Sequence, residues 1–124
     1  MVLQFEHGLR IVVHTANLTE SDWTVQTQGV WISPLCPLLP ETQWTDCSER
    51  ADSDCLGFKR YLIEYVKAYY LPATDDLSEI LQRYDMSEIT NVKLVGSVPG
   101  IHSGSLFGLS RMEKLLSIFV DNKK

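Results

Sequence analysis

Along the first third of the chain, apolar residues come in short runs rather than at helical spacing, and each run is closed by a polar or turn-forming residue. Val2 to Glu6 and Arg10 to Thr15 are predicted as two strands joined at His7-Gly8, a tight hairpin turn, because Gly beside a polar residue punctuates strands in this way. Ile11, Val12 and Val13 follow one another without alternation, the pattern of a strand covered on both faces. A third strand is predicted at Gly29-Val-Trp-Ile-Ser33, stopped by Pro34.

The period then lapses. From Pro34 to about Cys55 three prolines give way to acidic and small polar residues, which predicts a long surface loop or insertion over 34–55. Beyond it Phe58, Leu62, Tyr65, Val66 and Tyr69 recur at helical spacing, predicting a helix from about Leu56 to Leu71 that ends at Pro72. Leu77, Ile80, Leu81 and Tyr84 make a second helical stripe, with Thr74, Asp75 and Asp76 as its cap and N-terminal charge. Val92 to Val95 reads as a buried strand leading into the turn Gly96-Ser-Val-Pro-Gly100. Ser110-Arg-Met-Glu113 reads as a capping box for a third helix through Met112, Leu115, Leu116 and Phe119. This order, β-β-β, loop, α, α, β, turn, α, predicts an α/β or α+β sandwich with a mixed sheet and flanking helices.

Composition limits the chemistry more than it directs it. A chain of 124 residues that is 44% hydrophobic is one domain with a modest core. No window approaches the roughly 18 consecutive apolar residues of a membrane span, so no membrane partner is expected. Cys36, Cys47 and Cys55 match no zinc spacing and are expected as reduced thiols, and His7, His14 and His102 are scattered, so neither a metal nor any other cofactor is legible. The net charge of -5 would argue against a nucleic-acid partner. Its distribution weakens that argument: Glu41, Asp46, Glu49, Asp52 and Asp54 oppose Arg50 alone within the loop, and the rest of the chain is nearly balanced.

The one place where a strand delivers several polar groups together is His14-Thr-Ala-Asn17, at the end of the second strand. Three readings of Asn17 stand: a turn residue closing the strand, an amide that binds phosphate at a sheet edge, or a glycosylation acceptor in Asn17-Leu-Thr19, which would need a secretory route. Gln28 poses the same choice at the entry to the third strand. If those strands are neighbours, the two amides converge at one rim and form a better phosphate or imidazole cradle than either alone. The turn at 96–100 lacks the Lys and the glycine spacing of a Walker loop and reads as structural.

The run EHGLRIVVHTANLTESDWTVQTQGVWISPL, the later NVKLVGSVPGIHSGS and the Arg111-Met-Glu-Lys-Leu-Leu116 helix resemble the first half of the tyrosyl-DNA phosphodiesterases, within the phospholipase D superfamily. The resemblance covers about Val2 to Leu116, leaving 117–124 as an unassigned tail. It implies a partial phospholipase D-like sandwich half-domain and a metal-independent hydrolysis, in DNA repair, of 3'-phosphotyrosyl links between DNA and topoisomerase I. In that reaction one histidine attacks phosphorus and a second protonates the leaving tyrosine.

Within the resemblance, Asn17 matches a phosphate-binding Asn and Gln28 a glutamine that orients an imidazole, while His14 is expected to be structural. The implied partners are 3'-phosphotyrosyl DNA, a topoisomerase-derived peptide and a second catalytic half, and the implied location is the nucleus, with the cytoplasm as a second compartment. The family's His-x-Lys pair does not occur, and its place would fall immediately before Met1. The chain is therefore expected to be an inactive fragment whose Trp23 and Trp31 invite self-association. The competing expectation is a non-catalytic domain binding protein or single-stranded nucleic acid, with Tyr61, Tyr65, Tyr69 and Tyr70 as stacking surfaces.

Overall fold

The computed structural model describes residues 1–44, 57–102, 104 and 106–121. Three strands, β1 (Val2–Phe5), β2 (Gly8–His14) and β3 (Val30–Ile32), form an antiparallel sheet in the order β1-β2-β3. β1 and β2 make a hairpin whose register pairs Phe5 with Gly8 and Val2 with Ile11, so the two turn residues are Glu6 and His7, one position earlier than expected. Gly8 is needed as a strand residue instead. A Cβ there would stand 2.7 Å from the Cys36 carbonyl oxygen.

The segment after β3 is less of an insertion than its prolines suggested. Leu9 and Cys36 exchange backbone hydrogen bonds of 2.9 and 2.8 Å, which carries the pairing with β2 past Pro34. Ser33, buried, accepts the Ile11 N–H on its hydroxyl at 2.9 Å and donates to the Pro34 carbonyl at 2.7 Å. Leu38 forms a bridge to Tyr84 before a short 3-10 turn at Glu41–Gln43. The remainder of the expected loop, with Cys47 and Cys55, lies outside the described residues.

Four α-helices follow the strands or separate them: α1 (Glu20–Thr24), α2 (Phe58–Lys67), α3 (Pro72–Gln82) and α4 (Gly108–Asp121). α2 buries Phe58, Tyr61, Leu62, Ile63 and Val66 on one face, as its apolar spacing requires. α2 ends at Lys67, short of the expected Leu71, because Tyr70 turns the chain in a left-handed conformation, and Pro72 opens α3 instead. Its fixed φ suits the first turn of α3, and Thr74 Oγ1 accepts the Leu71 N–H at 3.2 Å, capping the helix, with Asp75 in its first turn. The core gathers Leu9, Ile11 and Cys36 from the strands and their extension with Phe58, Leu62, Ile63 and Val66 of α2, Leu81 of α3, and Tyr84, Met86 and Ile89 beyond it.

Four features differ from the expected pattern. α1, which has only five residues and no apolar stripe, was not legible as a helix. α4 begins at Gly108 in a left-handed conformation (φ 64°), so Ser110 sits inside the first turn rather than capping it, and the helix runs on across 117 to Asp121. Val92–Val95 joins no ladder among the described residues, so the sheet there is antiparallel and not mixed. The segment keeps a strand's period of two, with Val92 and Leu94 half-buried and Lys93 and Val95 exposed. A period without an adjacent strand edge gives alternation but no sheet. Val13 likewise departs from the pattern of a doubly covered strand, being 48% exposed beyond the buried Ile11 and Val12.

Candidate functional site

β2 ends at His14, and the chain continues through Thr15, Ala16 and Asn17 alongside the entry to β3. Antiparallel pairing of His14 with Val30 fixes where Thr15 and Gln28 stand, because the next pair outward brings Thr15 opposite Gly29. The Thr15 N–H donates to the Gly29 carbonyl at 3.1 Å, and the Gly29 N–H returns a bond to Thr15 Oγ1 at 2.9 Å. The same hydroxyl donates to Gln28 Oε1 at 2.6 Å. The two strands therefore converge as the sequence pattern required, and Gln28 is held by one end of its amide.

The other end is held by the loop. Gln28 Nε2 donates to the Asp22 backbone carbonyl at 3.2 Å. Asp22 is buried, 7% exposed, although it sits on the short helix α1 between exposed Ser21 and Trp23. Its carboxylate accepts the Asn17 N–H at 2.6 Å, a charge-assisted bond that closes the loop 17–22 on itself. Trp23 Nε1 donates to the Asn17 carbonyl at 2.8 Å, so both backbone polar groups of Asn17 are occupied. The Asn17 side chain is the remainder: it is exposed, and no described residue bonds it.

The side chain of Asn17 is not what closes the strand end. A turn residue spends its side-chain amide on nearby backbone. Here Asp22 and Trp23 satisfy the backbone instead, leaving the Asn17 side-chain amide presented to solvent. Gln28 retains one N–H, since an amide nitrogen carries two and one is used. The two amides are tied to one residue, Asp22, through the backbone of Asn17 and the side chain of Gln28. Asp22 and Thr15 were not singled out from the sequence. Asp22 stood within the resemblance only as the Asp of an Asp-Trp pair, and a hydroxyl opposite a strand entry carries no signal until the register is known.

His14 is half-buried against Trp23, ring centroids 5.8 Å apart, and its Nδ1 is buried with no partner among the described residues. It also lines a groove of about 720 Å³ with Val13, Tyr65, Leu94 and Gly96, which takes in none of Thr15, Asn17, Asp22 or Gln28. Among the described residues no cluster of His, Cys, Asp and Glu could hold a metal ion, and no helix is long and apolar enough to cross a membrane. Cys36 is a free, buried thiol whose pKa is raised above its ordinary 9.0 by desolvation, opposed by its hydrogen bond with Ser33.

Of the four tyrosines, Tyr61 is buried and Tyr65 half-buried on α2, while Tyr69 and Tyr70 beyond it are exposed. Tyr61 is 1% exposed and its hydroxyl accepts the Gly96 N–H at 2.8 Å. Tyr65 and Tyr69 share a hydroxyl hydrogen bond of 2.9 Å, and Tyr65 is pushed up to about 12 first by that bond and then by burial. Tyr70 is 87% exposed in a left-handed turn and Tyr69 37% exposed, its hydroxyl engaged by Tyr65, so the expected stacking surface reduces to these two residues.

The family model for tyrosyl-DNA phosphodiesterase matches residues 1–123. Tyrosyl-DNA phosphodiesterase 1 of Drosophila melanogaster is 37% identical over 123 residues, covering 94% of this chain and 20% of the relative. Its counterpart in Arabidopsis thaliana is 33% identical over 112 residues, covering 82% of this chain and 17% of the relative. The chain thus spans about a fifth of the length of these relatives, and the matched stretch includes Asn17, Asp22 and Gln28. With a family model matched over nearly all of its residues and two such relatives, the chain belongs to the tyrosyl-DNA phosphodiesterase family.

Proposed function

We propose that this chain supplies one side of a phosphate-binding site in a DNA-repair phosphodiesterase acting on 3'-phosphotyrosyl links between DNA and topoisomerase I. Membership of the family supports the substrate class. The observation that carries the reading is Asn17, whose backbone is fully hydrogen-bonded while its side-chain amide faces solvent, in a loop tied to Gln28 through Asp22. An amide N–H donates to a non-bridging phosphate oxygen without adding charge, and fixed donors at that point stabilise charge as it develops on phosphorus. Gln28 has one N–H left for an imidazole or for the same oxygen. The sheet and its helices belong, on this reading, to a phospholipase D-like α/β sandwich.

The chemistry itself needs more than these residues provide. A nucleophilic histidine forms a phosphohistidine and a second protonates the tyrosine, then activates water. His14 is packed on Trp23, and no His-x-Lys pair occurs in the sequence, so the 124-residue chain binds the phosphate without turning it over. A phosphodiesterase assay on a 3'-phosphotyrosyl oligonucleotide tests both parts: no release of tyrosine is expected, together with measurable binding that Asn17→Ala weakens. Robust turnover by the pure chain would overturn the inactivity, and binding indifferent to Asn17 would overturn the site.

A further inference from the structure

We propose that Asp22 is the positioning residue of this site, setting the Asn17 amide and the Gln28 amide at a fixed separation without itself touching the phosphate. The inference rests on the phosphate reading of Asn17 given above. Three features of Asp22 lead to it. The side chain is more than nine-tenths buried on a helix of only five residues, where a carboxylate has nothing to gain unless a specific donor pays for its desolvation. That donor is the Asn17 N–H, at 2.6 Å. The backbone carbonyl of the same residue accepts from Gln28 Nε2 at 3.2 Å, so a single residue governs both amides.

The geometry makes the two contacts act together. Thr15 fixes the carbonyl end of the Gln28 amide and Asp22 the nitrogen end, which sets the plane of that amide. Asp22 and Trp23 fix the N–H and carbonyl of Asn17, which sets the direction in which its side chain leaves the backbone. Loss of the carboxylate leaves Asn17 held only through its carbonyl by Trp23 and lets its side-chain amide wander relative to Gln28. A positioned donor pair loses its advantage over water in that state, because orientation and not hydrogen-bonding capacity is what distinguishes it.

A carboxylate beside a phosphate site would repel the ligand if it faced it. Asp22 avoids this by turning its oxygen inward to the loop backbone, so its charge is spent on an N–H before a phosphate arrives. The acceptor matters here, not the charge. Asp22→Asn, which still offers an amide oxygen to the Asn17 N–H, should therefore keep most of the function, whereas Asp22→Ala removes the acceptor.

The test is titration of the 124-residue chain with inorganic phosphate and with a 3'-phosphotyrosyl dinucleotide, followed by 1H–15N NMR. In the wild-type chain the Asn17 and Gln28 side-chain signals should move on titration, and a coupling through the hydrogen bond should link the Asn17 nitrogen to the Asp22 carboxyl carbon. Asp22→Ala is expected to weaken dinucleotide binding about tenfold, Asp22→Asn by less than threefold, and Asp22→Ala combined with Asn17→Ala by no more than Asn17→Ala alone. A merely structural Asp22 would give losses that multiply in the double variant, and that result overturns the proposal. If Asp22→Ala does not fold, Asp22→Ser, whose hydroxyl falls short of the Asn17 N–H, takes its place. Signals of Asn17 that ignore both ligands sink the phosphate reading and this assignment together. Signals that respond in the wild type, with Asp22→Ala binding equally well, sink the assignment alone.

Discussion

Thr15 Oγ1 lies 2.6 Å from Gln28 Oε1 and 2.9 Å from the Gly29 N–H, so one hydroxyl both closes the last pair between β2 and β3 and pins the amide beside it. A donor to one partner and an acceptor from the other, it uses its single proton on Gln28. Valine has the same shape and neither capacity. Thr15→Val should cost about 1 kcal/mol in urea denaturation, the usual net worth of such bonds at an exposed site, and should broaden or shift the Gln28 side-chain NMR signals. An unchanged Gln28 signal would show that Asp22 alone suffices to hold it.

The hydrogen bond from the Gly96 N–H to the Tyr61 hydroxyl is buried and joins α2 to the segment that precedes α4. Tyr61→Phe keeps the ring in the core but leaves that N–H without a partner. A loss of about 1–3 kcal/mol is expected, the cost of an orphaned buried donor. Gly96→Ala perturbs the same segment through a neighbouring residue, since its Cβ would clash with the edge of the Tyr65 ring. Both variants should lower the melting temperature, the alanine through overpacking. Melting curves identical to wild type would mean that the 94–98 segment is not anchored on α2.

The local patterns were legible where one element decided its own fate. α2 and α3 follow from apolar residues at i, i+3 and i+4, and the hairpin follows from two short runs around a turn. Where the outcome depended on a partner, reading failed. Val92–Val95 has the alternation of a strand and no strand beside it, and Ser110-Arg-Met-Glu113 has the letters of a capping box one turn too late, because Gly108 starts the helix. The site shows the same division. Asn17 and Gln28 stood out as polar residues at strand ends, but Asp22 is defined by a loop closing on itself and Thr15 by a register. Neither relation is written in spacing.

Cys36 gives a pH dependence with a definite sign. Burial raises its thiol above the ordinary 9.0, so the folded chain holds the proton more tightly than the unfolded chain does. Stability from this group is therefore complete below the unfolded value and declines as pH rises through and beyond 9.0. Cys36→Ser should place a more polar group in the same site, between Leu9 and Ser33, and destabilise at neutral pH. Peptide mapping after iodoacetamide at pH 8 should find Cys36 labelled only on unfolding, because it is 1% exposed. Prompt labelling in the folded chain would contradict its burial.

Val30 and Ile32 are 65% and 53% exposed on β3, one of the two edge strands of the three-stranded sheet. An apolar edge strand offers unpaired backbone groups and a greasy face to a second chain, the arrangement that natural sheets blunt with charge. Trp23, 58% exposed, extends the apolar surface near the site, whereas Trp31 turns inward onto Phe58 with ring centroids 5.6 Å apart. Self-association should therefore run through the edge and Trp23, not through Trp31. Ile32→Lys should shift sedimentation velocity toward the monomer at concentrations where the wild type associates, with little loss of stability because the side chain faces solvent. Trp31→Ala should instead destabilise the fold, by less than the about 3–5 kcal/mol of a fully buried Trp because the ring is half-buried, without relieving association. If Ile32→Lys sediments like the wild type, association proceeds through another surface.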